Sequence, residues 1–497
     1  MRRLLQLVIS CVLLSGCFGP GEGVEVPQDQ IYFPVGLAMD KGANHLFVVS
    51  SDFDLQYNGG AVQSYDLEAL QTEQLPQVCE VDADCANGPC ETGLCACPNG
   101  DRADSDRLLF PGRCKPIDPR EPALHSHSVK IGAFATDAIL RPRDDSDNPE
   151  QRLFVPVRGD STLHWLDVNA DGTLECGQRG AADHACDADH RVGDDPTDNP
   201  RGIKLNSEPF ALDASAHGEQ IVVTNQTTGT ASLFVNDWST RPMLKFALAS
   251  DRIPSRPVGI AALPQPLAAG EEADPATAFL MTFRNSAQVR VLRFAPDGTP
   301  TDTNQARPYL VDGSGVAIDA NSVGSDSRGI AVDGSARLLA KQRCAEGDLD
   351  CIAAANLVPL DVYVANRTPS SLLIGRTRPP QEYPYFFQTL PLTTGPSRVV
   401  IGQVTTANGE QETRVFVGCF DSRRVFVYDP QRSRIETEIL TGRGPHALVV
   451  DATRQLLYVG HFTDSYVGVY SLDLSHPATY GTMLGSLGNP KPPRASK

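Results

Sequence analysis

Short apolar runs alternate with clusters of turn-forming residues along most of the chain after residue 30. Seven segments share one order: a Pro or Gly opening, an apolar run, a variable turn, a second apolar run ending in a polar or aromatic residue, and a third apolar run. The clearest copies pair residues 34–38 with 46–49 and residues 444–448 with 456–459. Runs of β-branched and aromatic residues bounded by Gly, Pro, Asn and Asp are typical of strands, and no long helical period competes with them.

The remaining copies complete a repeat that predicts a propeller. They pair 209–211 with 221–223, 257–260 with 279–281, 328–330 with 362–364, 396–399 with 415–417 and, least regularly, 134–140 with 153–155. The third runs are 61–65, 163–166, 231–234, 289–292, 372–374, 425–428 and 467–470. Short strands repeated every ~40–50 residues favour a β-propeller, because one blade cannot bury both of its faces alone.

The length of the chain requires insertions between these strands. They are clearest at 79–114, 176–200, 263–275, 338–357 and 403–412. The sequence therefore predicts an all-β fold over residues 31–497, a seven-bladed β-propeller with disulfide-stapled loop insertions. This order of runs resembles the YVTN/YncE-like seven-bladed propeller family over essentially all of that range, most strongly at 396–474. The family is functionally mixed, so the resemblance implies the fold and little about chemistry.

The first residues predict export and a lipid anchor. Arg2 and Arg3 precede an apolar run from Leu4 to Leu14, which is shorter than the ~20 residues of a membrane-spanning helix and is typical of a signal peptide, residues 1–16. The residues Leu-Ser-Gly-Cys at 14–17 resemble the lipobox of bacterial lipoproteins, which implies acylation of Cys17. Phe18 favours the outer membrane by the same analogy, facing either the periplasm or the exterior. A chance cysteine after an ordinary secretory signal is the alternative.

Composition adds an acidic character and an oxidising compartment. Residues 17–30 are expected to form a flexible tether between the acylated cysteine and the propeller. With 61 Asp and Glu against 43 Lys and Arg, the net charge of −18 argues against a nucleic-acid partner. Thirteen cysteines indicate an exported protein.

The cysteines after the tether sort into local groups. Six of them look like an EGF-like disulfide module, residues 79–114, inserted in the first blade: Cys79, Cys85, Cys90, Cys95, Cys97 and Cys114. Fifteen connectivities are possible, and a zinc site is the alternative. Two further pairs are expected to close inserted loops: Cys176 with Cys186, and Cys344 with Cys351. Cys419 is left over, and is interpreted as a buried small residue, unless a nearby base activates its thiol.

Aligned second strands place two columns of residues at their ends. One column holds Ser51, Val157, Asn225, Phe283, Asn366, Cys419 and His461, and the next holds Asp52, Arg158, Gln226, Arg284, Arg367, Phe420 and Phe462. In an antiparallel blade the end of the second strand lies beside the start of the first. The columns, with His446, Arg398 and Arg328 from first-strand starts, are therefore expected to line one mouth of the propeller. Arginines among aromatic residues favour an anionic or carbohydrate ligand, and strand-end ion pairs are the alternative.

Two possible metal sites have weaker patterns. Residues 167–172 resemble the start of an EF-hand loop, but Gln178 stands where a bidentate Glu is wanted, and a hairpin turn is the alternative to a calcium site. His125 and His127 lie on one side of an extended segment without an identifiable third ligand. No other cofactor is expected.

Three classes of function follow from these patterns. The first is an outer-membrane-anchored lipoprotein that binds or scaffolds an envelope protein or glycan partner. The second, implied by the propeller family, is a lactonase-like hydrolase with His446, His461 and the mouth arginines as its acid–base and anion-holding groups. A purely structural role is a third. A carboxylate within hydrogen-bond reach of both histidines would favour the enzyme.

Overall fold

The computed structural model describes residues 23–86, 88–102, 111–178, 183–268, 271, 277–296, 308–318 and 326–490. Strands in this part of the chain form seven antiparallel sheets, six with four strands and one with five. Each sheet takes its strands from consecutive sequence, and each packs against the next in the chain. The predicted all-β, seven-bladed propeller is confirmed.

The first four blades contain β1 to β17. Blade 1 contains β1 Pro34–Met39, β2 His45–Ser50, β3 Gly60–Asp66 and β4 His125–Ile131. Blade 2 contains β5 Ile139–Pro142, β6 Gln151–Val157, β7 Thr162–Val168, β8 Leu174–Glu175 and β9 Arg191–Val192. Blade 3 contains β10 Pro209–Ala214, β11 Gln220–Asn225, β12 Thr230–Val235 and β13 Met243–Leu248. Blade 4 contains β14 Pro257–Ala262, β15 Ala278–Phe283, β16 Gln288–Ala295 and β17 Tyr309–Ala317.

The last three blades contain β18 to β29. Blade 5 contains β18 Ser327–Asp333, β19 Asp361–Arg367, β20 Ser370–Arg378 and β21 Tyr383–Pro391. Blade 6 contains β22 Pro396–Thr405, β23 Gln411–Cys419, β24 Arg424–Asp429 and β25 Arg434–Leu440. Blade 7 contains β26 Pro445–Asp451, β27 Leu456–His461, β28 Tyr466–Ser471 and β29 Met483–Leu487.

Helices lie in the connections. They are α1 Leu67–Ala69 with a following π turn Leu70–Gln74, 3₁₀ turns Asp82–Asp84 and Pro196–Asp198, and α2 Ser335–Lys341 and α3 Leu349–Asn356 between β18 and β19. Among the described residues, no helix is long and apolar enough to cross a membrane.

The core of the ring lies between the blades. Among the described residues there are eight hydrophobic clusters, and seven of them draw their buried side chains mainly from two adjacent blades. The cluster that closes the ring joins Leu46 and Val48 of blade 1 to Tyr458 and Val467 of blade 7. Because a blade is apolar on both faces, only a neighbour on each side removes its surface from water, which is why the repeats form a closed ring.

Strand register gives the two ends of the ring different characters. The first residues of first strands pair with the last residues of second strands, as in Pro34 with Ser50 and Pro445 with His461. We call this end the mouth. The connections that contain the insertions 79–114, 263–275 and 338–357 leave from the opposite end, because each follows a strand that starts at the mouth.

Five disulfides are present among the described residues. They join Cys79–Cys90, Cys85–Cys95, Cys97–Cys114, Cys176–Cys186 and Cys344–Cys351. The expected disulfides are confirmed, and the six clustered sulfurs are all paired, so none remains as a thiolate for zinc. Disulfides persist in oxidising compartments, which indicates an exported protein. The EGF-like kinship of the module stays a prediction.

Three local expectations differ from the structure. The first strand of blade 2 begins at Ile139, five residues after the expected start, and Phe134 precedes it with a positive φ. The expected insertion 403–412 is largely an extension of β22 and β23, joined by a short turn. The described part of the expected flexible tether, 23–30, packs on blade 1 instead: Val26 is buried, and Gln28 accepts hydrogen bonds from the side chains of Gln63 and Ser128. The predicted signal peptide and Cys17 lie outside the described residues.

Candidate functional site

A cavity of about 400 Å³ opens at the mouth, where the first strands of the blades converge. Its wall carries aromatic, cationic and acidic side chains together. The aromatic ones are Phe53, Phe134, Phe210, Phe420 and Phe462; the charged ones are Arg158, Arg328, Arg367, Arg398, Asp137 and Asp213; and His446 lies among them. An apolar cavity with a few convergent polar groups is the usual form of a small-molecule site.

The cavity wall includes some of the predicted site residues. Arg158, Arg367, Phe420 and Phe462 of the second column line it, and so does His446, but Asp52, Gln226 and Arg284 of that column are not among its lining residues. His461, from the first column, does not line it. Successive side chains of a strand point to opposite faces, so the residue before each mouth-lining position faces into the packing between blades. The expectation that both columns line the mouth is therefore wrong for the first one.

His461 is part of the core of blade 7. Its side chain is fully buried, its ring stacks on Tyr466 at 4.2 Å, and its Nε2 lies 3.2 Å from the hydroxyl of Tyr470. Burial lowers the pKa of His461 to about 3, so the imidazole is neutral at physiological pH. The expected pairing of His446 with His461 as acid and base does not form.

Three arginines of the cavity wall form ion pairs with carboxylates. Arg158 donates to Glu208 at 2.7 Å, Arg328 donates to both oxygens of Asp326 at 2.6 and 2.8 Å, and Arg367 is paired with Asp421. These contacts agree with the alternative interpretation as strand-end ion pairs, although the arginines still border the cavity. Partly exposed pairs of this kind contribute about 0–1 kcal/mol each.

Arg284 differs from the other arginines. It lies beside the cavity wall, and its contact with Asp326 is long, 3.9 Å from Nε to Oδ1. Desolvation and the neighbouring charge of Arg328 lower the pKa of Arg284 below its usual value, with smaller contributions from Arg256 and Arg367. On the side of blades 4 and 5, Arg284 therefore has the weakest carboxylate contact, while Arg328 and Arg367 are paired, so an anion could pair with Arg284 there.

A further ion pair, between Arg398 and Asp137, crosses the channel. Arg398, at the start of β22, donates through Nη2 and Nη1 to Asp137, at 2.7 and 2.9 Å. Asp137 precedes β5, so this fork joins blade 6 to blade 2. Burial lowers the pKa of Arg398, but the charge and hydrogen bonds of Asp137 outweigh that effect and raise it. A bidentate pair of this geometry fixes both side chains.

The acid–base groups on the cavity wall are limited. Burial, and then the charge of Arg398, lower the pKa of His446, so its imidazole is neutral at pH 7. Its recorded ring contacts are with Phe420 at 6.3 Å and Phe462 at 5.9 Å. Burial raises the pKa of Asp213, whose oxygens accept from Arg141 at 2.6 Å and from the amide of Ala262 at 2.7 Å.

The aromatic side chains form a continuous cluster on the side of blades 7, 1 and 2. Phe53 contacts Phe33, Phe134 and Phe462, with ring centroids 6.1, 5.9 and 5.1 Å apart. Phe462 continues the cluster to Phe420 at 6.2 Å. Aromatic side chains thus concentrate on the side of blades 7, 1 and 2, where Arg158 also lies, and Arg328 and Arg367 line the side of blade 5.

The other candidate groups have structural roles. The calcium-like segment forms the hairpin turn between β7 and β8, where Asp171 accepts from the amide and hydroxyl of Thr173 at 3.0 and 2.7 Å. In the histidine pair, His127 accepts from the amide of Leu174 at 3.2 Å, and His125 packs against Tyr65. Burial raises the pKa of Cys419 to about 11, so it remains a thiol rather than a reactive thiolate at neutral pH.

Sequence reasoning missed several lining residues. Phe53 lies in the connection between β2 and β3, Phe134 and Asp137 lie in the expected first run 134–140 but precede β5, and Phe210 and Asp213 lie within β10. Asp213 could have been found from the sequence. An Asp inside an otherwise apolar first strand indicates that the strand borders a polar surface, and in this fold that surface is the channel.

Asp52 makes a pH-dependent contribution at the mouth. Its side chain is buried, Oδ1 accepts from the amide of Tyr57 at 3.0 Å, and desolvation raises its pKa to about 6. The folded state therefore holds a proton that the unfolded state has lost, and stability falls as pH rises from about 4 to about 6. We expect Asp52→Asn to raise the free energy of unfolding by about 1 kcal/mol above this window, and to leave it unchanged at about pH 4.

Urea unfolding at the two pH values, with the disulfides intact, measures this difference. The control is Asp54→Asn, two residues away on the exposed part of the same loop. An equal gain from both variants would mean that general charge reduction, and not burial of Asp52, is responsible.

Comparison with known proteins adds little beyond this geometry. No protein-family model matches the chain, and no curated protein matches its sequence. Among solved structures, a candidate 6-phosphogluconolactonase of Bacteroides uniformis is 14% identical, with a TM-score of 0.45 over 83% of this chain and 86% of that one. The periplasmic gluconolactonase of Pseudomonas aeruginosa is 14% identical, with a TM-score of 0.44 over the same shares, 83% and 86%.

Hydrazine synthase of Kuenenia stuttgartiensis is also similar, at 11% identity and a TM-score of 0.45, over 92% of this chain and 99% of that one. Likenesses this distant say nothing about activity, and membership of the YVTN/YncE-like family stays a prediction. The all-β, seven-bladed propeller is shown by the sheets of the chain itself, and five disulfides are present in the part of the chain that the structure describes.

Proposed function

We propose that this protein is a lipid-anchored binding protein of the bacterial outer membrane, and that its propeller holds a ligand at the mouth. The cavity of about 400 Å³, lined by aromatic side chains and arginines, is the observation that carries the binding role. The ligand that complements it has an apolar part and an anionic group. The disulfide-stapled insertions at the opposite end are available for an envelope protein or glycan partner.

The lipid anchor is tested first, because it determines whether the protein binds its ligand at the membrane. We expect Cys17→Ser to release the protein from the membrane fraction into the soluble fraction, because several acyl chains on one residue are needed for stable anchoring. The control is Cys419→Ser, which changes a cysteine far from the leader. Fractionation followed by immunoblotting measures the split, and membrane retention of Cys17→Ser would contradict the lipobox interpretation.

The ligand site is tested with an anionic aromatic probe, anilinonaphthalene sulfonate. We expect Phe462→Ala to weaken its binding about tenfold, because an aromatic contact contributes about 0.5–1.5 kcal/mol beyond its buried area and 1.4 kcal/mol equals a factor of ten. The matched control is Phe387→Ala, which removes an exposed ring from the outer strand of blade 5. Equal weakening by both variants, or none by Phe462→Ala, would contradict a site at the mouth.

A lactonase-like hydrolase is the second candidate, favoured by the neutral imidazole of His446 on the cavity wall. Such a group accepts a proton from water or a substrate hydroxyl once it lies within hydrogen-bond reach. We expect a screen of sugar lactones by pH-stat to decide. Turnover that His446→Gln abolishes and His461→Gln retains would establish hydrolysis at the mouth, and turnover insensitive to His446→Gln would exclude this residue as the base.

A further inference from the structure

The chain enters the propeller at its mouth. Val24 forms a parallel bridge with Tyr57, the amide of Asn58 donates to the carbonyl of Val24 at 2.9 Å, and the Asn58 side chain donates to Glu25 at 3.1 Å. Tyr57 and Asn58 belong to the loop 51–59, which joins β2 to β3 at the mouth. The same loop contributes Phe53 to the cavity wall.

The distance from the proposed anchor is short. Gly23 follows Cys17 by six positions. Six residues span at most about 20–22 Å even when fully extended. Acylation of Cys17 would therefore keep Gly23, and the loop 51–59 next to it, within about this distance of the bilayer.

Exposed apolar side chains lie at the same place. Val24 is 66% exposed, Phe53 49% and Leu55 42%, although all three are large hydrophobic residues. Apolar side chains that remain partly exposed near one another are typical of surfaces that meet a membrane or a partner. Because the entry point of the anchored segment lies in this patch, a bilayer is the surface that its position favours.

The charge of the mouth is also suited to a lipid surface. The protein carries a net charge of −18, which an anionic bilayer repels in general. One side of the mouth nevertheless carries Arg284, Arg328 and Arg367. Arg328 and Arg367 are paired with carboxylates, whereas the contact of Arg284 with Asp326 is long, at 3.9 Å. A headgroup phosphate placed there would gain charge-assisted hydrogen bonds while its acyl chains met the aromatic side of the mouth.

We propose that the mouth of the propeller faces the membrane that anchors it, that Val24, Phe53 and Leu55 dip into the interface, and that the cavity accepts an anionic phospholipid of that membrane. The inference rests on the proposed anchoring at Cys17 and on the proposed ligand site. In this orientation the cavity binds a lipid of the anchoring membrane, rather than a solute from the surrounding water.

The helical insertion at the opposite end of the ring is the alternative surface for contact with the membrane. Leu338, Leu339, Leu349 and Leu357 of α2, α3 and their flanks are also exposed there. A protein docked through these leucines would present its mouth to the aqueous side, so the two orientations predict opposite results.

The test uses the full-length acylated protein in vesicles of equal parts phosphatidylglycerol and brominated phosphatidylcholine. Two variants carry an added tryptophan, Phe53→Trp and Leu339→Trp. Bromine quenches an indole that lies in the interface, where amphipathic segments bury ~5–10 Å deep. We expect quenching above the wild-type background for Phe53→Trp and none for Leu339→Trp.

The outcomes separate the inference from its premise. Flotation of the protein with the vesicles, and its loss in Cys17→Ser, tests anchoring alone. If the protein floats and Phe53→Trp is not quenched, or if only Leu339→Trp is quenched, the orientation is overturned while the anchor stands. If the protein does not float, the anchor itself fails.

The anionic headgroup is tested by changing one residue and one lipid. We expect the quenching of Phe53→Trp to fall when neutral lipid replaces phosphatidylglycerol, and Arg284→Gln to abolish this dependence. The matched control is Arg376→Gln, on the outer part of blade 5, where the arginine pairs with Asp361 at 2.7 Å. Unchanged lipid dependence in Arg284→Gln would overturn the assignment of the headgroup to this cluster.

Discussion

Replacement of Arg414 by Met is expected to lower the free energy of unfolding by about 3–5 kcal/mol. Arg414 lies in β23 with a fully buried side chain, and it donates to Glu412 at 2.8 Å and to both oxygens of Glu436 at 3.0 Å. Asp429, also fully buried, lies 3.5 Å away. Methionine preserves much of the volume and removes the charge, so Glu436 loses its cationic partner, and Glu412 and the buried Asp429 keep only the half-exposed Arg432.

The pH dependence of this loss identifies its cause. The hydrogen bond from Arg414 lowers the pKa of Glu412, so this carboxylate contributes stability above its unfolded pKa and loses it as pH falls through its folded one. The deficit of Arg414→Met should therefore shrink on acidification. Urea unfolding at neutral and acidic pH measures it. A deficit that does not change with pH would mean that lost packing, rather than unpaired charge, is responsible.

Arg432→Gln is the matched control for Arg414→Met. Arg432 pairs with the same carboxylates, Glu412 at 3.2 Å and Asp429 at 2.6 Å, but its side chain is 49% exposed. Its loss should cost much less than that of Arg414, because water screens the pair and solvates what remains.

Replacement of Asp137 by Asn is expected to have the second largest effect. Asp137 is buried and holds the guanidinium of Arg398 across the channel through two hydrogen bonds. Removing its charge leaves Arg398 without its partner, at a cost of about 2–4 kcal/mol, below that of a fully enclosed pair because Arg398 retains some solvent. The freed cation should also tighten the binding of an anionic ligand to the cavity.

A double-mutant cycle isolates this interaction. Arg398→Gln in the Asp137→Asn background should recover part of the loss, because neither charge is then left alone. Glu208→Gln, which breaks the more exposed pair with Arg158, should cost about 0–1 kcal/mol. Additive costs for Asp137→Asn and Arg398→Gln would mean that the cross-channel pair carries no coupling.

Local patterns were sufficient for the repeat, for the approximate strands and for the nearby disulfides. Cys176 and Cys186, or Cys344 and Cys351, are ten and seven positions apart, so the chain between them closes without help from the rest of the fold. In the six-cysteine module the local density of cysteines predicted disulfides, but their pairing needed the folded loop. The start of β5 was misplaced because tertiary contacts of Phe134 override the apolar run.

The mouth illustrates a different limit. The alignment of second strands correctly brought Arg158, Arg367 and Phe462 together, because equivalent positions of successive blades meet at one end of the ring. The alignment was wrong by one position at His461. In a strand, a shift of one position moves a side chain from the channel to the packing between blades. Such a shift reverses the role of a side chain without any change in the apolar pattern.

By itself, then, the sequence determined the class of fold, the number of blades, the regions of insertion and the acidic character of the protein, since each depends on local spacing or on composition. The tertiary structure alone decided which arginines are neutralised, that Asp137 meets Arg398 over a separation of 261 residues, and that the N-terminal segment enters at the mouth. These are contacts between blades, and they depend on ring closure and side-chain direction, which no single segment encodes.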